Sequence, residues 1–92
     1  MHLDQSFRIS EDVVAREVAG ELVLLDLASG LYFGLNPVGS RVWQHLAQGP
    51  CSLAELCDRI EAEYEAPRDQ IERDITALAA QFAEKNLISP AS

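Results

Sequence analysis
No serine or cysteine of this 92-residue chain has a plausible base close by in sequence. There is no G-x-G-x-x-G, no phosphate-binding loop and no H-E-x-x-H. Nothing in the spacing therefore supports an enzyme. Cysteine is scarce, and Cys51 and Cys57 do not have the C-x-x-C spacing of a redox or zinc site. The two histidines, His2 and His45, have no partner at metal-ligand spacing. Neither a metal nor a cofactor is expected. No apolar run approaches the ~20 residues of a membrane span. MHLDQSFRISED lacks the basic and apolar regions of a signal peptide. The expectation is a cytoplasmic protein with no membrane partner. Basic residues are also few: seven Lys and Arg stand against fifteen Asp and Glu, for a net charge of −8. A nucleic-acid binder needs a basic face to neutralise phosphates, which argues against such a partner. An acidic domain suits a neutral or basic peptide, or a basic patch on an enzyme.

What is present is one domain, residues 1–92, with its ordered core over about 13–88. A chain this short buries roughly 60–65% of its unfolded surface, enough for one modest core. VVAREV (13–18) and ELVLLDL (21–27) flank Ala19-Gly20, a short hairpin turn. The second of these strands is almost wholly apolar, as befits the centre of a small sheet. Ala28-Ser29-Gly30 ends in glycine and suits a three-residue hairpin loop. LYFGL (31–35) follows as a third strand, at the edge of an antiparallel meander.

Asn36 is a good N-cap and Pro37 suits a first helical position. Val38, Val42 and Leu46, with Trp43, mark a helix over about 37–48, which Gly49-Pro50 stops. Ser52 and Glu55 form a capping box. Leu53, Leu56, Cys57, Ile60 and Tyr64 then make the apolar stripe of a helix over 53–64. Cys57 falls on that stripe as a small hydrophobe, and Cys51 precedes the helix as an unpaired thiol. Pro67 starts a third helix with Ile71, Ile75, Leu78 and Phe82 on one face, ending near Lys85-Asn86. Ala66 stands where a capping Asp or Ser is expected, so this helix begins loosely. Leu87 and Ile88 are expected to fold back onto the core. Three strands followed by three helices predict an α+β, winged-helix-like fold.

At ~100° per residue, Asp74, Gln81 and Lys85 fall to one side of the third helix's apolar face. Ala79 and Ala83 fall on the other side and suit close helix packing. The polar flank either borders a groove or is a solvated shoulder. In LYFGL, Tyr32 and Gly34 point to one face while Leu31, Phe33 and Leu35 point to the other. Proteins usually blunt an uncharged edge strand. It either accepts a peptide as an added strand or is covered by a terminus or a second copy.

"GELVLLDLASGLYFGLNPVGSRVW", "SLAELCDRIEAEY" and "IERDITALAAQFAEKNLI" together closely resemble the PqqD-like family. These are the peptide-recognition elements of ribosomally made, modified peptides. The telling pieces are the Leu-Asp-Leu with Gly30, Tyr32-Phe33, Leu35-Asn36, Gly39, Trp43 and Asp74. The resemblance implies a non-catalytic adaptor that binds the leader segment of a precursor peptide as a strand. Its site would lie between Leu31, Tyr32, Phe33, Gly34 and Leu35 on one wall and Asp74, Leu78, Gln81 and Lys85 on the other. It further implies a partner leader peptidase or modifying enzyme, in a lasso-peptide pathway or else in pyrroloquinoline quinone synthesis. A winged-helix DNA-binding regulator is the rival of another class. Its third helix would carry only Arg68, Arg73 and Lys85 among four acids.

Overall fold
The computed structural model of the chain describes residues 2–91. Its elements run β1 (Ser6–Ile9), β2 (Val13–Val18), β3 (Glu21–Asp26), β4 (Leu31–Gly34), α1 (Pro37–Ala47), β5 (Cys51–Ser52), α2 (Leu53–Glu63), α3 (Arg68–Glu84) and β6 (Ile88–Pro90). β2, β3 and β4 form the expected antiparallel meander with β3 at its centre, and the three expected helices follow. Ala19 and Gly20 close the first hairpin with φ of 54° and 85°. Two successive left-handed residues give the turn whose twist matches its strands. In the second connection the buried Asp26 carboxylate accepts from the Ala28 N–H at 3.2 Å and the Ser29 hydroxyl at 2.8 Å.

The caps read from sequence are all made. Asn36 Oδ1 accepts the Gly39 N–H at 2.7 Å. A Cβ at Gly39 would sit 3.2 Å from that oxygen, so glycine lets the cap close tightly. Ser52 and Glu55 exchange both capping-box bonds. Pro67 is the N-cap of α3, with no side-chain cap bond. Arg68 instead ties that first turn to α2, reaching Asp58 at 2.7 Å and Glu61 at 3.3 Å, with Glu72 of its own helix at 2.8 Å. Donating hydrogen bonds to Glu72 and Asp58 raises the Arg68 pKa.

A second sheet, ordered β5-β1-β6, goes beyond the sequence reading. β1 pairs with β5 through Phe7 and Cys51 and with β6 through Ile9 and Ile88. Its strands are too short to show a period, and β6 ends in proline, so tertiary pairing rather than propensity forms it. The structured part thus extends outside 13–88. Phe7 is fully buried in the same core as Leu24, Leu53 and Ile75. Leu87 and Ile88 do fold back onto that core. Trp43 meets Phe82 edge-on, ring centroids 5.4 Å apart. Two stripe assignments are corrected: Val38 and Tyr64 are exposed. Val38 lies in the first turn of α1, and Tyr64 is the C-cap where the chain leaves α2. Cys51 and Cys57 are free and buried, and burial pushes both thiols up. No helix among the described residues is long and apolar enough to cross a membrane.

Candidate functional site: an open strand edge facing a helix
The hydrogen-bond ladder decides which backbone groups of the meander are free. In an antiparallel pair, opposed residues alternate between bonded and non-bonded. The Leu35 N–H donates to the Leu22 carbonyl at 2.9 Å. In that register, Leu24 with Phe33 and Asp26 with Leu31 are the other bonded pairs. The backbone groups of Leu31, Phe33 and Leu35 are therefore turned toward β3. The N–H and C=O of Tyr32 and Gly34 point away from the sheet. No strand among the described residues pairs with that edge. On the opposite edge the Leu27 N–H donates to the Asp12 carbonyl at 2.8 Å. By the same alternation, Val14 and Arg16 bond β3 while Ala15 and Glu17 point outward.

The free edge of β4 opens into a groove of about 360 Å³ whose other wall is α3. Tyr32 to Asn36 form the strand side; Leu78, Gln81 and Lys85 form the helix side. Leu35, Phe82 and Leu87, all buried, make its apolar floor. Phe33 is half-buried, and Lys85 Nζ sits 5.0 Å above its ring centroid, a cation–π contact. A Cβ at Gly34 would meet nothing within 4 Å, so the space over the strand is open.

The structure brings together seven of the nine residues singled out from the sequence: Tyr32, Phe33, Gly34, Leu35, Leu78, Gln81 and Lys85. Leu31 is exposed at the start of β4, outside the groove lining. Asp74 lies one turn before Leu78 and lines a separate hollow with Val38, Tyr64, Glu65 and Ile75. The helical count aligned Asp74 with Gln81 and Lys85 around α3 but took no account of its displacement along the axis. Asn36, Gly39, Phe82 and Leu87 line the groove and were not among the nine. In the sequence Asn36 reads as a cap and a piece of the resemblance, and Phe82 as core, neither as groove lining.

A second surface borders the same edge. The outer face of the meander carries Val14, Val18, Val23, Leu25 and Tyr32 around Arg16, lining a hollow of about 450 Å³. Val18 is 55% exposed and Tyr32 70%.

The family model for coenzyme PQQ synthesis protein D (PqqD) matches residues 21–88, from β3 to the first residue of β6. The chain belongs to the PqqD family. The match spans both walls of the groove. This PqqD-family chain is similar to a solved structure described as "TbiB1 in complex with the TbiA(beta) leader peptide". The two are 40% identical with a TM-score of 0.84, over 92% of this chain and 98% of that one. It is also similar to a "lasso peptide synthetase B1 complexed with the leader peptide", 33% identical with a TM-score of 0.80, over 91% and 98% of the two chains. A search of the curated proteins finds no match.

Proposed function
We propose that this protein is a non-catalytic adaptor that captures the leader segment of a ribosomally made precursor peptide. The leader adds to β4 as a fourth strand. The observation that carries this reading is the unpaired edge of Tyr32 and Gly34 facing the α3 wall. Its support is a fold shared with two proteins solved with leader peptides. The likeness to a lasso peptide synthetase B1 favours a lasso-peptide pathway over PQQ synthesis.

Magnitudes say what else the leader must supply. The four free groups of Tyr32 and Gly34 offer about 1 kcal/mol each, or about 4 kcal/mol. Micromolar affinity needs about 8 kcal/mol after the cost of association is met. The apolar floor must make up the difference. Burying one leader Leu or Val there contributes about 1.5–3 kcal/mol, so the leader needs several apolar side chains facing the groove. Chemical-shift mapping with a leader peptide, the TbiA(beta) leader being the first to try, should move Tyr32, Gly34, Leu78, Gln81 and Lys85. Shifts confined to other faces would move the site.

A separate enzyme of the pathway acts on the delivered leader, in the cytoplasm where the precursor is made. The burial that raises both thiols suppresses the thiolate a cysteine nucleophile requires. The enzyme's docking surface is the apolar outer face of the meander. A leader strand on β4 would extend that face, setting its own outward side chains beside Tyr32. Val14→Asp with Val18→Asp should keep leader binding and lose processing in a reconstituted pathway. Full processing by that folded variant would free the face of the role.

A further inference from the structure
We propose that the groove reads charge as well as shape. It selects leader segments that carry an acidic and a basic residue roughly four to six positions apart, the acid against Lys85 and the base against Asp74. The inference rests on the adaptor reading above and deepens it.

The hollow lined by Asp74 is separate from the groove but adjoins it along α3. Leu78, on the groove wall, is one turn from Asp74. Gly39, also in the groove, is next to Val38 in the hollow. An extended peptide leaving the groove past Asn36 runs into this space of about 230 Å³. Its walls are Val38, Ile60, Ile71 and Ile75, and its rim carries Glu65 and Asp74. A long basic side chain lays its methylene stem along such walls and keeps its charge at the rim. Neither carboxylate has an ion-pair partner among the described residues. Arg73 adjoins Asp74 in sequence, but adjacent helical residues do not face each other.

The other end has the opposite sign. Lys85 stands over Phe33 and has no carboxylate partner among the described residues. Lys85, the C-cap of α3, is eleven residues after Asp74, about 16 Å at 1.5 Å per residue. An extended strand covers that distance in about five residues. The groove is thus a ruler with a cation at one end and carboxylates at the other.

The test pans a library of random twelve-residue peptides against the intact protein and against Asp74→Lys and Lys85→Glu. Both positions are exposed, and a melting scan confirms that the variants fold. Peptides enriched on the unaltered protein should share an acid and a base at the stated spacing. Against Asp74→Lys the base should be replaced by an acid, and against Lys85→Glu the acid by a base. Each parent peptide should lose about tenfold in affinity for the variant and regain it on reversal of its one matching charge. Enriched peptides that bind tightly without a charge pattern overturn the ruler and leave the adaptor reading intact. Failure of the unaltered protein to enrich any peptide overturns the adaptor reading and the ruler with it.

Discussion

The meander has two free edges, β2 and β4, joined through the same central strand, and they are not equivalent. Both have backbone groups pointing outward, and both have a helix nearby. β2 presents Ala15 and Glu17 outward and carries Arg16 and Glu17 in mid-strand. Charges in that position blunt an edge against a passing strand. β4 carries no charge at all. The hollow near β2 is lined by Trp43, Leu46 and Ala47 of α1 and by Arg8 and Ile9 of β1. The groove beside β4 has α3 as its far wall, with Gln81 and Lys85 above an apolar floor. Openness of an edge is therefore decided residue by residue, not by sheet topology.

The largest effect comes from breaking what both edges lean on. Leu24 is fully buried in β3, opposite Ala15 on one side and Phe33 on the other. Leu24→Ala should cost about 3 kcal/mol, lowering the melting temperature by roughly 12–24 °C for a domain of this size. A loss of only a degree or two would show that the sheet does not depend on that contact.

The edges themselves are compared with proline, which removes an N–H. Tyr32→Pro should keep the fold, because that N–H points away from β3. It should bind leader about five- to tenfold more weakly than Tyr32→Ala, the cost of one hydrogen bond. Ala15→Pro should leave binding unchanged. Amide exchange supplies the same contrast without mutation: Tyr32 and Gly34 should slow in the complex, while Ala15 and Glu17 should not. Equal responses at the two edges would erase the distinction.

The smallest effect lies away from both edges and serves as a control. Glu63 takes a hydrogen bond from Arg41 Nε at 2.8 Å and lies 3.2 Å from His45 Nε2. The hydrogen bond from Arg41 is the main cause that lowers its carboxyl below the ordinary value of 4.5. A depressed folded-state pKa stabilises above the unfolded value and is lost as pH falls through the folded one. Stability should therefore decline below about pH 4.5, and only slightly, because solvent screens this exposed pair. Glu63→Gln should flatten that part of the acid limb in urea titrations at stepped pH, with leader binding at neutral pH unaltered.

Legibility followed period and local chemistry. The three helices showed stripes long enough to count, and Asn36, Ser52 and Glu55 announced their caps. VVAREV does not alternate cleanly, because its outer face carries Val14 and Val18 around Arg16. β1 and β5 could not be seen, since a strand of four residues or two exists only through its partners. Asp74 illustrates a second limit. An angular count around a helix says which way a residue points and nothing of which neighbour stands opposite at that height.

The small β5-β1-β6 sheet sits at the two ends of the helical segment. β5 leads straight into α2, and β6 follows α3 by way of Leu87, which is itself part of the groove floor. Pairing both to β1 braces the helix that forms the far wall. The slot for a guest strand is therefore held to gauge from outside, by residues no guest would touch. A wall braced in this way has little freedom to lose when a peptide arrives, so the entropy of fitting falls mainly on the peptide.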